Sequence, residues 1–195
     1  MRAVITGGSS ETGQILMENI DLDWVPVDRT HGYTLPDDVD RLVEQLESAD
    51  LFFNVANLGT LQSDFLALAW NTWNNMKPST PKKIINFGSL ITEIEMQTTL
   101  ERNNFTYFDR SRERTDYKAE KLLLHKTHDE YKHLHLQGWA NDYVMPQTIL
   151  IKFGNILYKN IRSEEPFTSA EQLLDVVEYA INAKSYISDF EVRWD

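Results

Sequence analysis

The chain has 195 residues with 19 basic and 30 acidic side chains, a net charge of −11. So acidic a protein lacks the broad basic face that captures nucleic-acid phosphates or an anionic membrane. It has no cysteine, which excludes disulfides, thiolate catalysis and cysteine-ligated metal centres. No apolar run approaches the ~20 residues of a membrane helix. The start, MRAVITGG, runs straight into β-branched residues and glycines without a leader-like apolar region, so a mature cytoplasmic start is expected.

In chain order, residues 2–6 (RAVIT) predict a short strand, stopped by Gly7-Gly8-Ser9-Ser10. A helix follows from Thr12 to about Ile20. Residues 24–27 read as a second strand, in which Pro26 argues against a central position. A helical segment begins near Thr34, with Pro36 in its first turn and Leu42, Val43 and Leu46 as its apolar stripe. Residues 51–56 (LFFNVA) form a continuous apolar run, as in a strand covered on both faces.

The alternation continues with a helix over 62–76, a strand over 83–87 and a helix near 90–101. An aromatic patch at 105–108 precedes a long helix from about 113 to 130. A strand over 148–153 ends in Gly154, an amphipathic helix spans 169–183, and a strand over 190–194 closes the chain. There is no internal repeat or linker, so residues 1–195 are expected to form one domain. Strand–helix alternation throughout predicts an α/β fold of three layers, a doubly wound parallel sheet of about six to seven strands.

In such a sheet, ligands bind beyond the carboxyl ends of the strands, where the strand order reverses. After the first strand comes Thr6-Gly7-Gly8-Ser9-Ser10-Glu11-Thr12-Gly13. Glycines let the backbone turn tightly and approach a phosphate, and the following helix N-terminus offers N–H groups and a positive dipole end. The same pattern also suits a plain strand-to-helix turn. Tyr117 and Lys121 are four residues apart, hence on one helix face. An ammonium beside a phenol lowers its pKa toward the range a general acid–base needs; an ordinary solvated helix is the alternative.

Together these motifs resemble the short-chain dehydrogenase/reductase family. Its glycine turn after the first strand is matched by Thr6, Gly7 and Gly13. Its NxAG-like motif is matched by Asn54 and Ala56, with Asn57 where glycine is usual. The strand leading to its serine is matched by residues 84–89 (IINFGS), and its YxxxK pair by Tyr117 and Lys121. Asn71 resembles the family's helical asparagine, and Gly154 its late Pro-Gly, here with the proline lost. Glu11 replaces a turn glycine, the front half lacks a helix and a strand after Asp28, and the stretch after Gly154 is short for a substrate lid.

The resemblance implies a Rossmann fold and hydride transfer between NAD or NADP and a small carbonyl or alcohol substrate. Tyr117 would exchange the hydroxyl proton, Lys121 would hold the nicotinamide ribose, Ser89 would bind the substrate oxygen, and Asn71 would support a proton relay. The cofactor would lie along Gly7, Ser9, Ser10, Thr12, Gly13, Asp28, Arg29, Asn54, Ala56, Lys121, Gly154 and Ile156. Asp28 at the end of the second strand can accept from both ribose hydroxyls, which mildly favours NAD(H), although Arg29 beside it could meet a 2′-phosphate. A homodimer through the Tyr–Lys helix, with Leu122-Leu123-Leu124 at the contact, is also implied.

The alternative is a dinucleotide-binding sensor or scaffold without turnover, which Glu11, Asn57 and the short lid would suit. His125 and His128 could share a face and bind a metal, but histidines near a helix end are more often exposed and held by its dipole. Arg110, Arg112 and Arg114 are expected to form a solvated ion-pair face rather than to contact substrate. Phe105, Tyr107, Phe108 and Trp139 are expected mainly in packing, with pocket lining the alternative.

Overall fold

The structure is a computed structural model, and it describes residues 1–89, 111–139, 144–153, 155–156 and 167–192. Six strands form one sheet: β1 (Arg2–Thr6), β2 (Asp23–Val27), β3 (Leu51–Asn54), β4 (Lys83–Ser89), β5 (Gln147–Phe153) and, last in the chain, β8 (Asp189–Val192). Their order is β2-β1-β3-β4-β5-β8, and every neighbouring pair is parallel. Two short strands, β6 (Asn155–Ile156) and β7 (Phe167–Thr168), pair separately. The helices are α1 (Glu11–Asn19), α2 (Val39–Glu47), α3 (Leu61–Met76), α4 (Ser111–Trp139) and α5 (Ala170–Asn182).

The strands alternate their side chains between two cores. Ala3, Ile5, Phe53, Ile85 and Ile151 meet Leu16 of α1 and Leu173 and Val177 of α5 on one face. Val4, Phe52, Ile84 and Leu150 meet Leu42 of α2, Phe65 and Trp73 of α3 and Leu124 of α4 on the other. Burial on both faces explains the unbroken apolar runs, and the three expected layers are present. Pro26 lies in the edge strand β2, where its missing N–H interrupts no central ladder.

Several bounds differ from expectation. Asp38 accepts the Thr34 backbone N–H, closing a turn before α2, so that helix starts at Val39. The long helix continues past 130 to Trp139, because Tyr131 packs tilted against Trp70 with ring centroids 4.9 Å apart and His135 Nδ1 lies 3.0 Å from the Pro146 carbonyl. Lys83 joins β4 to α5: its ammonium donates to the carbonyls of Ala180, Ile181 and Ala183 at 2.7–2.9 Å, capping the helix's negative end. The expected helix near 90–101, the aromatic patch at 105–108, Arg110 and Gly154 lie outside the described residues. No helix among the described residues is long and apolar enough to cross a membrane.

Candidate active site

The strand order reverses at β1, which has β2 on one side and β3 on the other. At the carboxyl end of this pair, Gly7 has φ +73°, and a Cβ there would lie 2.8 Å from the Ala56 Cα. The turn therefore presses against the loop after β3. Thr6, fully buried, ties the same two segments: its Oγ1 accepts the Ala56 N–H at 3.4 Å. Ser10 caps α1 by accepting the Gly13 N–H at 3.1 Å. Glu11 is exposed in the first turn, where the positive end of the helix favours a carboxylate.

Asp28 sits at the end of β2 but is held by its own turn. Its Oδ1 accepts from the Thr30 N–H at 3.0 Å and Oγ1 at 2.7 Å and lies 2.8 Å from His31 Nδ1. Its Oδ2 accepts from the Ser9 N–H at 2.7 Å. Burial works against the charge, yet these donors outweigh it and hold the carboxyl at about 2. The open pair of acceptors expected for a ribose diol is thus already engaged. Arg29 begins the short 3₁₀ turn that follows.

Ser89 ends β4, and its hydroxyl hydrogen-bonds the phenol of Tyr117 on α4. One turn further on, the buried Lys121 donates its ammonium to Gln62 Oε1 at 2.6 Å and to the Phe87 carbonyl at 3.1 Å. The ammonium stands 5.5 Å from the Tyr117 ring centre. The expected lowering of the phenol's pKa is corrected here. Burial raises it, Glu120 adds to the rise, and the Ser89 bond opposes it only in part. Burial brings Lys121 down to about 8, with Glu120 acting in the opposite direction.

Asn71 is not gathered with these groups. It is exposed on α3, and its amide donates to the Tyr131 hydroxyl at 3.4 Å. A helix rises ~1.5 Å per residue, so it lies about 14 Å along α3 from Gln62. Gln62 is the residue the sequence reading missed. It is 2% exposed, and its Nε2 donates to the carbonyls of Asn54 at 2.7 Å and Phe87 at 3.2 Å. Asn54 in turn donates to Asn86 Oδ1 at 3.0 Å, so the expected cofactor residue Asn54 serves a buried polar ladder.

A cavity of about 220 Å³ joins the two halves of the site, with Ser10, Thr12 and Asn57 from the turn side and Gly88, Tyr117 and Lys121 from the other. Ile156 lies in β6. His125 and His128 take separate positions. His128 Nδ1 is 3.0 Å from Thr148 Oγ1, and its Nε2 is 3.4 Å from Asp189 Oδ1. The Lys132 ammonium lies 2.6 Å from Asp189 Oδ2.

Burial and the charges of Lys152 and Lys121 push His125 down to about 4. Folding therefore favours its neutral form, and stability falls as pH drops from the ordinary ~6.5 toward 4 because only the unfolded chain takes up the proton. After allowing for partial exposure, the loss is expected to be about 1–2 kcal/mol. Urea midpoints measured across this range should fall in the parent and flatten in His125→Gln. Equal slopes would exclude His125 as the source.

No family model matches the chain, and no curated protein matches it in sequence. Solved structures do match. A short-chain dehydrogenase from Burkholderia cenocepacia J2315, in complex with NADP, aligns with TM-score 0.65 and 13% identity, over 99% of this chain and 88% of that one. The fold is that of these dehydrogenases. A GDP-L-fucose synthetase from Naegleria fowleri aligns with TM-score 0.66 and 12% identity, over 100% and 77%. The 3-alpha-hydroxysteroid dehydrogenase from Pseudomonas sp. B-0831, complexed with NADH, aligns with TM-score 0.63 and 11% identity, over 98% and 95%. The strand reversal at β1, the tight turn against Ala56 and the cavity reaching Tyr117 fit a dinucleotide.

Proposed function

We propose that the protein is a short-chain dehydrogenase/reductase that binds NAD or NADP and acts on a small carbonyl or alcohol. The observation that carries this reading is the Ser89–Tyr117 hydrogen bond, with Lys121 one turn away, in the cavity that the Ser10–Thr12 turn also lines. Gly7, Ser9, Ser10, Thr12 and Gly13 would hold the cofactor's pyrophosphate, and Lys121 its nicotinamide ribose. When bound, the nicotinamide supplies or accepts the hydride. Ser89 would orient the substrate oxygen, and Tyr117 would exchange its proton. A phenol whose pKa is raised stays protonated at neutral pH, so the site suits proton donation to a carbonyl, the reductive direction.

Tyr117 and Lys121 sit on α4, whereas the glycine turn joins β1 to α1, so cofactor binding that depends on Lys121 tests whether the two act on one ligand. Fluorescence titration with NADPH and NADH should show saturable binding by the parent. Lys121→Ala should weaken it about tenfold, the order of one charge-assisted hydrogen bond. The absence of binding to the parent up to millimolar cofactor would overturn the reading. With Asp28 committed to Ser9, Thr30 and His31, the expected lean toward NAD(H) loses its support, and both cofactors belong in the titration.

Self-association is part of the same proposal. Leu122 and Leu123 are 47% and 39% exposed on α4, whereas Leu124 is fully buried in the core. Two of the three leucines thus offer apolar surface, and a dimer through α4 would cover them. Light scattering at micromolar concentration should give twice the monomer mass for the parent and a monomer for Leu122→Glu/Leu123→Glu. A parent that runs as a monomer would refute the pairing.

A further inference from the structure

We propose that Gln62 is a positioning residue, whose carboxamide fixes the Lys121 ammonium in the cofactor cleft without neutralising it. The proposal rests on the reading of Lys121 as the cofactor-holding residue. Gln62 lies in the first turn of α3, 2% exposed, directly beside the carboxyl ends of β3 and β4. Its two amide protons go to the carbonyls of Asn54 and Phe87, at 2.7 and 3.2 Å. That leaves only Oε1 to face Lys121, 2.6 Å away. Reversing the amide would set an NH₂ against an ammonium and an oxygen against two carbonyls, so the partners fix its orientation.

Lys121 gives one proton to Gln62 and one to the Phe87 carbonyl at 3.1 Å. Both acceptors are neutral. An ammonium has three protons, and the third is the one a ribose hydroxyl would take. Glu120, Tyr117 and His125 are the titratable groups around it, all on α4; α3 and β4 present Gln62 and the Phe87 carbonyl, which carry no charge. A neutral acceptor keeps the lysine's charge available to a ligand, whereas a carboxylate in its place would satisfy that charge internally. Asn71, about 14 Å along the helix, cannot provide this contact.

The test is the pH dependence of NADPH affinity in the parent, Gln62→Met, Gln62→Glu and Lys121→Ala, with circular-dichroism melting to identify folded variants. A parallel titration of Lys121 in protein carrying ¹³C-labelled lysine, assigned through Lys121→Arg, follows the ammonium directly. The parent should lose affinity above about pH 8, where Lys121 gives up its proton. Gln62→Met should lower the midpoint of both titrations, and Gln62→Glu should raise it by about one pH unit or more, as a charged neighbour does. Where Gln62→Met does not fold, Gln62→Glu supplies the test.

A Lys121 midpoint that the folded Gln62 variants leave in place overturns the proposal, because a merely structural Gln62 would change melting and not the titration. If Lys121→Ala binds NADPH as the parent does, the cofactor reading fails instead. The ¹³C midpoint then still decides whether Gln62 controls Lys121.

Discussion

Tyr117→Phe should reduce turnover of a carbonyl substrate by about 10²–10⁴-fold, the usual worth of a positioned general acid. In activation free energy this is roughly 3–5 kcal/mol. The variant keeps the ring, its packing and the neighbouring Lys121, and removes only the oxygen bonded to Ser89. Cofactor affinity should therefore stay within about twofold of the parent, since on the proposed reading Lys121 and the glycine turn would supply that binding. Because burial raises the phenol's pKa, Tyr117 stays protonated across neutral pH, so at saturating NADPH the parent's reductive rate should hold there, and the loss of cofactor affinity from Lys121 should appear first, above about pH 8. Stopped-flow consumption of NADPH with a panel of small ketones and aldehydes measures both. Equal rates for the parent and the Phe variant would refute Tyr117 as the acid. Tight NADPH binding by the parent with no turnover across the panel would favour the dinucleotide-binding protein that performs no chemistry.

The parts of this molecule legible in sequence are those that repeat along the chain. LFFN at 51–54 and KIINF at 83–87 lie in the sheet interior, and burial on both faces puts apolar residues at consecutive positions, 51–53 and 84–85. Gly7 and Gly13 were legible because a turn this tight leaves no space for a Cβ. The end of α4 was not. Its inward face is built from Lys121, Leu124, His128 and Tyr131, a stripe at helical spacing that an apolar pattern does not register. Gln62 was hidden for another reason. Its partners are Asn54, Phe87 and Lys121, distant in sequence, and one amide in a helix has no periodic signature. Spacing also placed Lys121 on the face of Tyr117 but not the direction of its ammonium, which turns to Gln62 and the Phe87 carbonyl. For Asp28 a local signal existed. Asp-Arg-Thr-His is a sequence in which an aspartate can cap its own turn, and the structure shows that use.

Gly13→Ala should strongly damage the glycine turn. A Cβ at Gly13 would stand 2.3 Å from the Gly7 carbonyl oxygen and 2.7 and 2.8 Å from the Gly8 Cα and carbonyl oxygen. All three neighbours are backbone, so no rotamer can relieve the overlap, and α1 must draw away from the turn. That movement pulls against the Ser10 cap on the Gly13 N–H at 3.1 Å and the Ser10 N–H to Gly7 carbonyl bond at 2.9 Å. Overpacking of this kind costs typically ~1–3 kcal/mol, and loss of a helix cap adds about 1 kcal/mol. A total near 3 kcal/mol corresponds to a fall in Tm of roughly 6–12 °C for a chain of this size. Gly32→Ala is the comparison: Gly32, unlike the helical Gly13, has a left-handed φ, of +79°, but nothing lies within 4 Å of its Cβ position. Its cost should be backbone strain alone, about 1–2 kcal/mol. Thermal melting should rank Gly13→Ala below Gly32→Ala, and NADPH titration should show a loss of more than about tenfold for the former, whose displaced turn and helix N-terminus no longer meet a phosphate. A Gly13→Ala protein that melts with the parent and binds NADPH equally well would show that the turn can open without cost, and that the pyrophosphate is not held there.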